Sequence, residues 1–282
     1  MSVELREIKQ RIGSTRQIRR VTGTLQRVAA ARLGGHRKAV EASERYLDVL
    51  RGFVSGAGGE VDRYEHPLTT KRTTGQPCLV VLGADRGLCG GFIVSIVETA
   101  QTYLRAASAD TTVHVVGKIV ARRLQRSGFP VEHVHTPPAR GEESEWIRTL
   151  SESLRRDFLD GTVSRIDLLY SQFINTLRQE PQVVPLLPVA LSGDKARTQR
   201  FAGFEPAPGK ILDSLLPELV TQTLYHAFVH SATSEDAARQ AAMSRATENA
   251  SDMLGNLMKR YSRLRQENIT TEMLELLGGS TA

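Results

Sequence analysis

VELREIKQRIGSTRQIRRVTGTLQRVAAARL, residues 3–33, is the stretch whose reading decides the fold. Leu5, Ile8, Ile12, Ile18, Val21, Leu25 and Val28 recur at intervals of three and four, with one skipped position near Thr15, while Arg and Gln fill the other faces. That period predicts a helix carrying one apolar stripe. Ser2 suits an N-cap, and Glu4 puts a carboxylate in the first turn. The pattern loosens after Gly34-Gly35 and predicts an end near Gly52, ahead of Gly56-Ala-Gly-Gly59. A helix of about 50 residues is roughly 75 Å long, more than a compact domain of this size needs internally.

The far end of the chain mirrors it. From Ile211 to Leu276 there is no proline after Pro217 and no glycine except Gly255, and Gly278-Gly279 supplies a stop. About 65 helical residues span about 100 Å. Pro217 is expected in the first turns, where its missing N–H costs least. The small residues of Ala237-Ala-Arg-Gln-Ala-Ala242 permit close helix–helix approach. Two such helices at opposite ends of the sequence are expected to bury their stripes on each other as an antiparallel coiled coil, over residues 1–55 and 211–276.

Between them the period changes. Cys78-Leu-Val-Val-Leu82 is an apolar run ending in glycine, and Thr112–Val116, Val131–His135, Arg165–Tyr170 and Val183–Leu191 read as further strands. Helices are expected over Gly90–Arg105, Lys118–Arg126 and Glu142–Phe158. Alternation of this kind predicts a Rossmann-like α/β domain over residues 76–200, mainly parallel, with an antiparallel edge at its end. A loop from Ser192 to Gly209, carrying Pro206 and Pro208, closes it.

Aromatic residues make up 5% of the chain, which suits extended solvent-facing helices better than one thick globule. The formal charge of +6 favours an acidic partner, and the first 45 residues hold eleven Lys or Arg against four Glu. Cys78 and Cys89 are too few for a disulfide framework and fit a reducing compartment. No run approaches the roughly 18 apolar residues of a membrane span, and the start lacks an apolar signal core.

Gly83-Ala-Asp-Arg-Gly-Leu-Cys-Gly-Gly91 follows a strand and opens a helix, where a dinucleotide-binding protein cradles phosphate. Its glycines miss the G-x-G-x-x-G register and Asp85 repels a pyrophosphate, so a tight turn with close packing is the expected role. No phosphate-loop motif occurs. His114, His133 and His135 gather in the middle domain without a Cys or acidic ligand set, which favours a surface or edge-strand location over a metal site. Cys89, Ser231 and Ser234 lack a base partner or an elbow motif. Neither catalysis, a cofactor nor a metal is expected. The tail from Arg263 to Glu275 differs in kind: it mixes charged, polar and apolar residues all round the helix, as a helix end enclosed by other proteins does.

Here the sequence resembles a known family. Ile269-Thr-Thr-Glu-Met-Leu-Glu-Leu-Leu-Gly-Gly279, preceded by Arg265-Gln266, is similar to the carboxy-terminal signature of the gamma subunit of F-type ATP synthases. Val28-Ala-Ala-Ala-Arg-Leu33, Asp85-Arg-Gly-Leu-Cys-Gly-Gly91, Asn175–Pro181 with Leu186-Leu-Pro188, and the Ser234–Ala250 stretch agree in the same order. The resemblance implies a central rotor stalk coupling ion flow through the membrane ring to conformational cycling of the catalytic head. Its implied partners are a hexamer of alpha and beta subunits, the epsilon subunit and the membrane c-ring, with no nucleic acid. Peripheral membrane association on the cytoplasmic face of the inner membrane follows. It further implies that Leu25, Arg265, Gln266, Thr270, Glu272 and Glu275 contact the catalytic ring. Gly23, Thr24 and Arg27 depart from the family pattern and mark a divergent member, and Gly23–Arg27 is expected opposite residues 263–276. Two competing readings are a small-molecule enzyme on the α/β domain with dimerising helices, and a basic coiled-coil adaptor for nucleic acid.

Overall fold

The computed structural model describes residues 3–59, 66–107, 110–190 and 208–279. Along the chain they form α1 (Val3–Gly59), β1 (Gln76–Leu82), α2 (Phe92–Ala106), β2 (Thr112–Val116), α3 (Lys118–Arg126), β3 (His133–His135), α4 (Glu143–Leu159), β4 (Val163–Phe173), β5 (Gln179–Leu187) and α5 (Pro208–Gly279). Ser2, most of the Ser192–Gly209 loop and the side chain of Glu275 lie outside the described residues. The chain divides into two compact units, one of residues 32–238 and one joining residues 1–31 to 239–282.

The larger unit is built on a five-stranded sheet in the order β3-β2-β1-β4-β5. β1 pairs in parallel with β2 and β4, β2 in parallel with β3, and β4 in antiparallel with the edge strand β5. A strand in the middle of a parallel sheet is covered on both faces, which is why β1 reads as a continuous apolar run. The twofold alternation splits that run between two cores. Leu79 and Val81 meet α2 and α3 through Ile96, Val97, Val120 and Leu124. Cys78, Val80 and Leu82 face the other way, onto Ile147, Leu150, Leu154 and Phe158 of α4.

The second core also takes in the long helices. Leu47, Leu50 and Val54 of α1 and Leu212, Leu216, Val220 and Leu224 of α5 are buried in it. The expectation that these helices bury their stripes only on each other is therefore corrected: both ends of the sequence contribute to the domain core. This burial also explains two misjudged helix ends. α1 continues past Gly52 because Val54, 3% exposed, is anchored in the core, and burying such a side chain is worth about 1.5–3 kcal/mol against about 1 kcal/mol for a helical glycine. α5 starts at Pro208, so Pro217 lies in the helix interior rather than the first turns. Leu216 and Leu219 on either side of it are buried and hold the backbone there.

In the smaller unit α1 and α5 run antiparallel. Arg260 pairs with Glu4 at 2.8 Å. Ile8, Ile12 and Leu254 form a buried cluster flanked by Leu257, Tyr261 and Leu264. Beyond Thr15, which sits beside Met253, the seam turns polar. The Thr247 hydroxyl donates to Thr22 Oγ1 at 2.8 Å, and Gln26 Nε2 donates to Ser244 Oγ at 3.3 Å. Only the first part of the expected stripe is covered. Leu5, Ile8 and Ile12 are buried, whereas Ile18, Val21 and Val28 are about half exposed. Spacing revealed an apolar face but not which surface α5 covers.

Candidate functional site

The six positions expected to touch a partner ring all lie in the smaller unit, in two places. Arg265, Gln266, Thr270 and Glu272 are exposed on α5. The last described cross-helix ion pair is Glu4 with Arg260, and Leu264 is the last side chain packed on the Ile8–Ile12 cluster. Thr270 returns its hydroxyl to Gln266 O at 2.9 Å, a bond within the helix that leaves the surface uncovered. Ile269, Met273 and Leu274 share this end at 44%, 62% and 64% exposure. Ile269 and Met273, four residues apart, share one face of the helix.

Leu25, half-buried, sits elsewhere. Its neighbours Thr22 and Gln26 pair with Thr247 and Ser244, so the Gly23–Arg27 segment faces residues 244–247. The expectation that it lies opposite residues 263–276 is corrected. In an antiparallel register anchored by Glu4 and Arg260, α5 positions near 265 lie some 20 residues, roughly 30 Å, from the level of Leu25. Sequence reasoning missed the outward stripe of Ile18, Val21 and Val28, which shares this level. Its three-four-three spacing with Leu25 was legible, but it was assigned to the buried seam.

The glycine loop of the larger unit is packed rather than open. Asp85 Oδ1 accepts the Lys118 N–H at 3.1 Å, so a carboxylate already occupies the amino end of α3. Gly83 is fitted against Val120, where an added Cβ would come within 2.5 Å of a side-chain carbon. Cys89 is buried, and Leu88 stands 63% exposed with a φ of 65°, a left-handed conformation uncommon for a bulky residue.

In doubly wound sheets, ligands bind outside the carboxyl ends of the strands where the strand order reverses. Here that point lies between β1 and β4, and α5 fills it. Ser231 Oγ donates to Leu82 O at 2.7 Å, Ser234 Oγ donates to Ser171 O at 3.0 Å, and His230 Nδ1 accepts the Phe173 N–H at 3.2 Å. The two serines that lacked a catalytic context cap strand carbonyls. The small-molecule enzyme reading therefore loses its crevice.

Two groups of histidines remain. His226 and His230 stack edge-on at 4.3 Å between α1 and β4, with Ser43 Oγ 3.1 Å from His226 Nδ1 and Glu44 Oε1 3.3 Å from His230 Nε2. Burial pushes both imidazoles down to about 4, helped by Arg51 at His226 and by His226 at His230. His114, His133 and His135 cluster at the β2–β3 edge, where burial and the neighbouring rings hold His114 at about 4. Among the described residues, no three His, Cys, Asp or Glu side chains stand ready to hold a metal ion, and no helix is long and apolar enough to cross a membrane.

A sequence model of the ATP synthase family matches residues 4–282. The ATP synthase gamma chain of Heliobacterium modesticaldum is 31% identical over 286 residues, covering 99% of this chain and 98% of its own. That of Pelotomaculum thermopropionicum is 32% identical over 284 residues with the same coverage. Among solved structures, a chain of the Euglena gracilis mitochondrial ATP synthase in an OSCP/F1/c-ring assembly superposes with a TM-score of 0.72 at 16% identity, covering 99% of this chain and 94% of its own. A Tetrahymena thermophila chain from a central stalk/c-ring structure gives 0.60 at 19% identity, covering 80% and 99%. The structures establish a common fold; the family match and the full-length relatives establish kinship, and the chain belongs to the ATP synthase gamma-chain family, the non-catalytic central-stalk subunits of a membrane-associated complex.

Proposed function

We propose that this chain is the rotating shaft of its complex, with the end of α5 enclosed by a catalytic hexamer of alpha and beta subunits. The larger unit rests against an epsilon subunit and a membrane c-ring, on the cytoplasmic face of the inner membrane. Arg265, Gln266, Thr270, Glu272 and Glu275 form the contact at the shaft end, and Leu25 contributes at a separate level. The observation that carries this reading is the exposure of Ile269, Met273 and Leu274 beside charged and polar groups at the end of α5. A ligand shifts an equilibrium only by binding its states differently. A helix end with charged, polar and apolar groups distributed unevenly around it meets each of three catalytic subunits through a different set of side chains, and so favours a different state in each.

Co-expression with the head subunits of a relative tests it. One copy of this chain per hexamer is expected. Replacing Ile269 and Met273 together by serine leaves the free chain's melting temperature unchanged but lowers coupled ATP turnover several-fold. Wild-type turnover in that variant would contradict the contact.

A further inference from the structure

We propose that the outer face of α3 is a binding surface for anionic lipid headgroups. It lies in the larger unit and is independent of the shaft-end contact. One side of this nine-residue helix is buried through Val120, Ala121 and Leu124, in the core it shares with α2 and β1. The other side carries Lys118, Arg122, Arg123 and Arg126, all exposed, and the helix holds no Asp or Glu. Lys118, Arg122 and Arg126 recur every four residues, a ridge about 12 Å long with charges roughly 6 Å apart. At physiological salt the screening length is about 8 Å, so neighbouring charges on the ridge act together. Helix stability does not account for them all. Arg123 and Arg126 in the last turn complement the helix dipole, but Lys118 stands in the first turn, where a cation opposes it.

The neighbouring helix extends the patch. Gln101 Nε2 of α2 donates to Ser127 Oγ at 2.9 Å, and Arg105, one turn further along the same face of α2, is exposed. Nearby carboxylates leave the cations unpaired. Asp85 Oδ1 is taken by the Lys118 N–H, and Glu98, the one acidic residue of α2, forms no ion pair with α3. Among the described residues none of the five basic side chains has an ion-pair partner, whereas Arg148, Arg165 and Arg178 of the same unit are paired with carboxylates.

The chemistry of the face selects its partner. A specific protein interface is centred on buried apolar or aromatic anchors, and no large apolar side chain of α3 stands exposed. An anionic leaflet needs no such anchor, because its surface potential attracts each nearby Lys or Arg without any fixed register. The family consists of subunits of a membrane-associated complex, so such a surface is present in its surroundings. Headgroups are fluid, and the attraction would hold the larger unit toward the membrane without fixing its angle.

Co-sedimentation of the full chain with vesicles tests the surface. Binding is expected to vesicles of phosphatidylcholine mixed with phosphatidylglycerol and not to phosphatidylcholine alone, and it should weaken as salt is raised. Arg122→Gln and Arg126→Gln should each weaken partition about fivefold, and together by the product. Arg122→Lys with Arg126→Lys keeps both charges and should bind as wild type. Arg19→Gln with Arg20→Gln removes the same charge from exposed positions of the smaller unit and should change little. The proposal is overturned if the wild-type chain does not sediment with anionic vesicles. Equal loss in the two glutamine pairs would also overturn it, since net charge and not this face would then be responsible. So would loss of binding in the lysine pair, which would indicate bidentate recognition of carboxylates on an acidic protein. Should the glutamine pair misfold, the two single variants read the same loss.

Discussion

Ser231 Oγ, on the fifth helix, donates a 2.7 Å hydrogen bond to the carbonyl of Leu82, the last residue of the first strand. The bond is buried and joins residues 149 apart in sequence. It falls at the point where nucleotide-binding sheets of this topology leave a crevice, and it shows how a fold shared with many enzymes is turned to a mechanical use. The long fifth helix closes the ligand crevice of the sheet with its own polar side chains.

Ser231→Ala removes the donor and leaves a buried carbonyl without it, a loss of about 1–3 kcal/mol. The denaturant midpoint of the free chain should fall accordingly with no change in slope. No nucleotide affinity should appear, because Ser234 and His230 still fill the remainder of the crevice.

Two glycines should respond in opposite directions. Gly117 has a φ of 107°, and a Cβ there would lie 2.5 Å from the Ala84 backbone. Gly117→Ala combines strain with overlap and should cost at least about 2 kcal/mol. Gly23 is helical and a Cβ meets nothing closer than the Thr247 methyl at 3.9 Å. Gly23→Ala should raise stability by about 0.5–1 kcal/mol. Thermal melts of the two variants, measured side by side, check both signs.

Acid should loosen the larger unit. His226 and His230 are held near 4 in the folded chain, below the ordinary value of 6.5. Between those values the unfolded chain binds more protons, so stability is fully present above pH 6.5 and is lost as the pH falls toward 4. The groups facing the pair are Glu44, Asp48 and Arg51 on the first helix and Tyr170 on the fourth strand. The loss is on the order of 1–3 kcal/mol per imidazole. Protonated His230 would also surrender the acceptor that holds the Phe173 N–H. Urea titrations at pH 7 and 5 should show the decline, and His226→Gln should make it shallower.

Much of the fold was legible because local period and burial coincide. The third helix, Lys118–Arg126, and the second strand, Thr112–Val116, have the limits their sequence pattern predicts. The parallel sheet with one antiparallel edge followed from alternation alone. Register was not legible. Nothing in the spacing of Ile18, Val21, Leu25 and Val28 says that Thr22 and Gln26, not they, meet the fifth helix, since that depends on which distant residues lie opposite, as in the buried cluster of Ile8, Ile12 and Leu254. The shaft end was readable as an irregular mixture of residue types and by its resemblance to the family's carboxy-terminal signature. The structure adds that Ile269, Met273 and Leu274 are exposed there. The third strand is shorter than expected, beginning at His133 rather than Val131, because only three register pairs form with the second strand.

The two proposed contact levels should separate in function. Arg265→Ala with Gln266→Ala and, independently, Leu25→Ala should each lower coupled turnover in the assembled complex. Their levels lie roughly 30 Å apart, so the effects should multiply rather than overlap. The exposed pair should leave the melting temperature within about 1 °C of wild type, as surface substitutions cost under about 0.5 kcal/mol.

Rotation itself is the most direct measurement. With the catalytic head of the reconstituted complex fixed to a surface and a bead attached to the larger unit of this chain, addition of ATP should drive unidirectional rotation in three steps per turn. A head that hydrolyses ATP with this chain bound while the bead stays still would contradict the account.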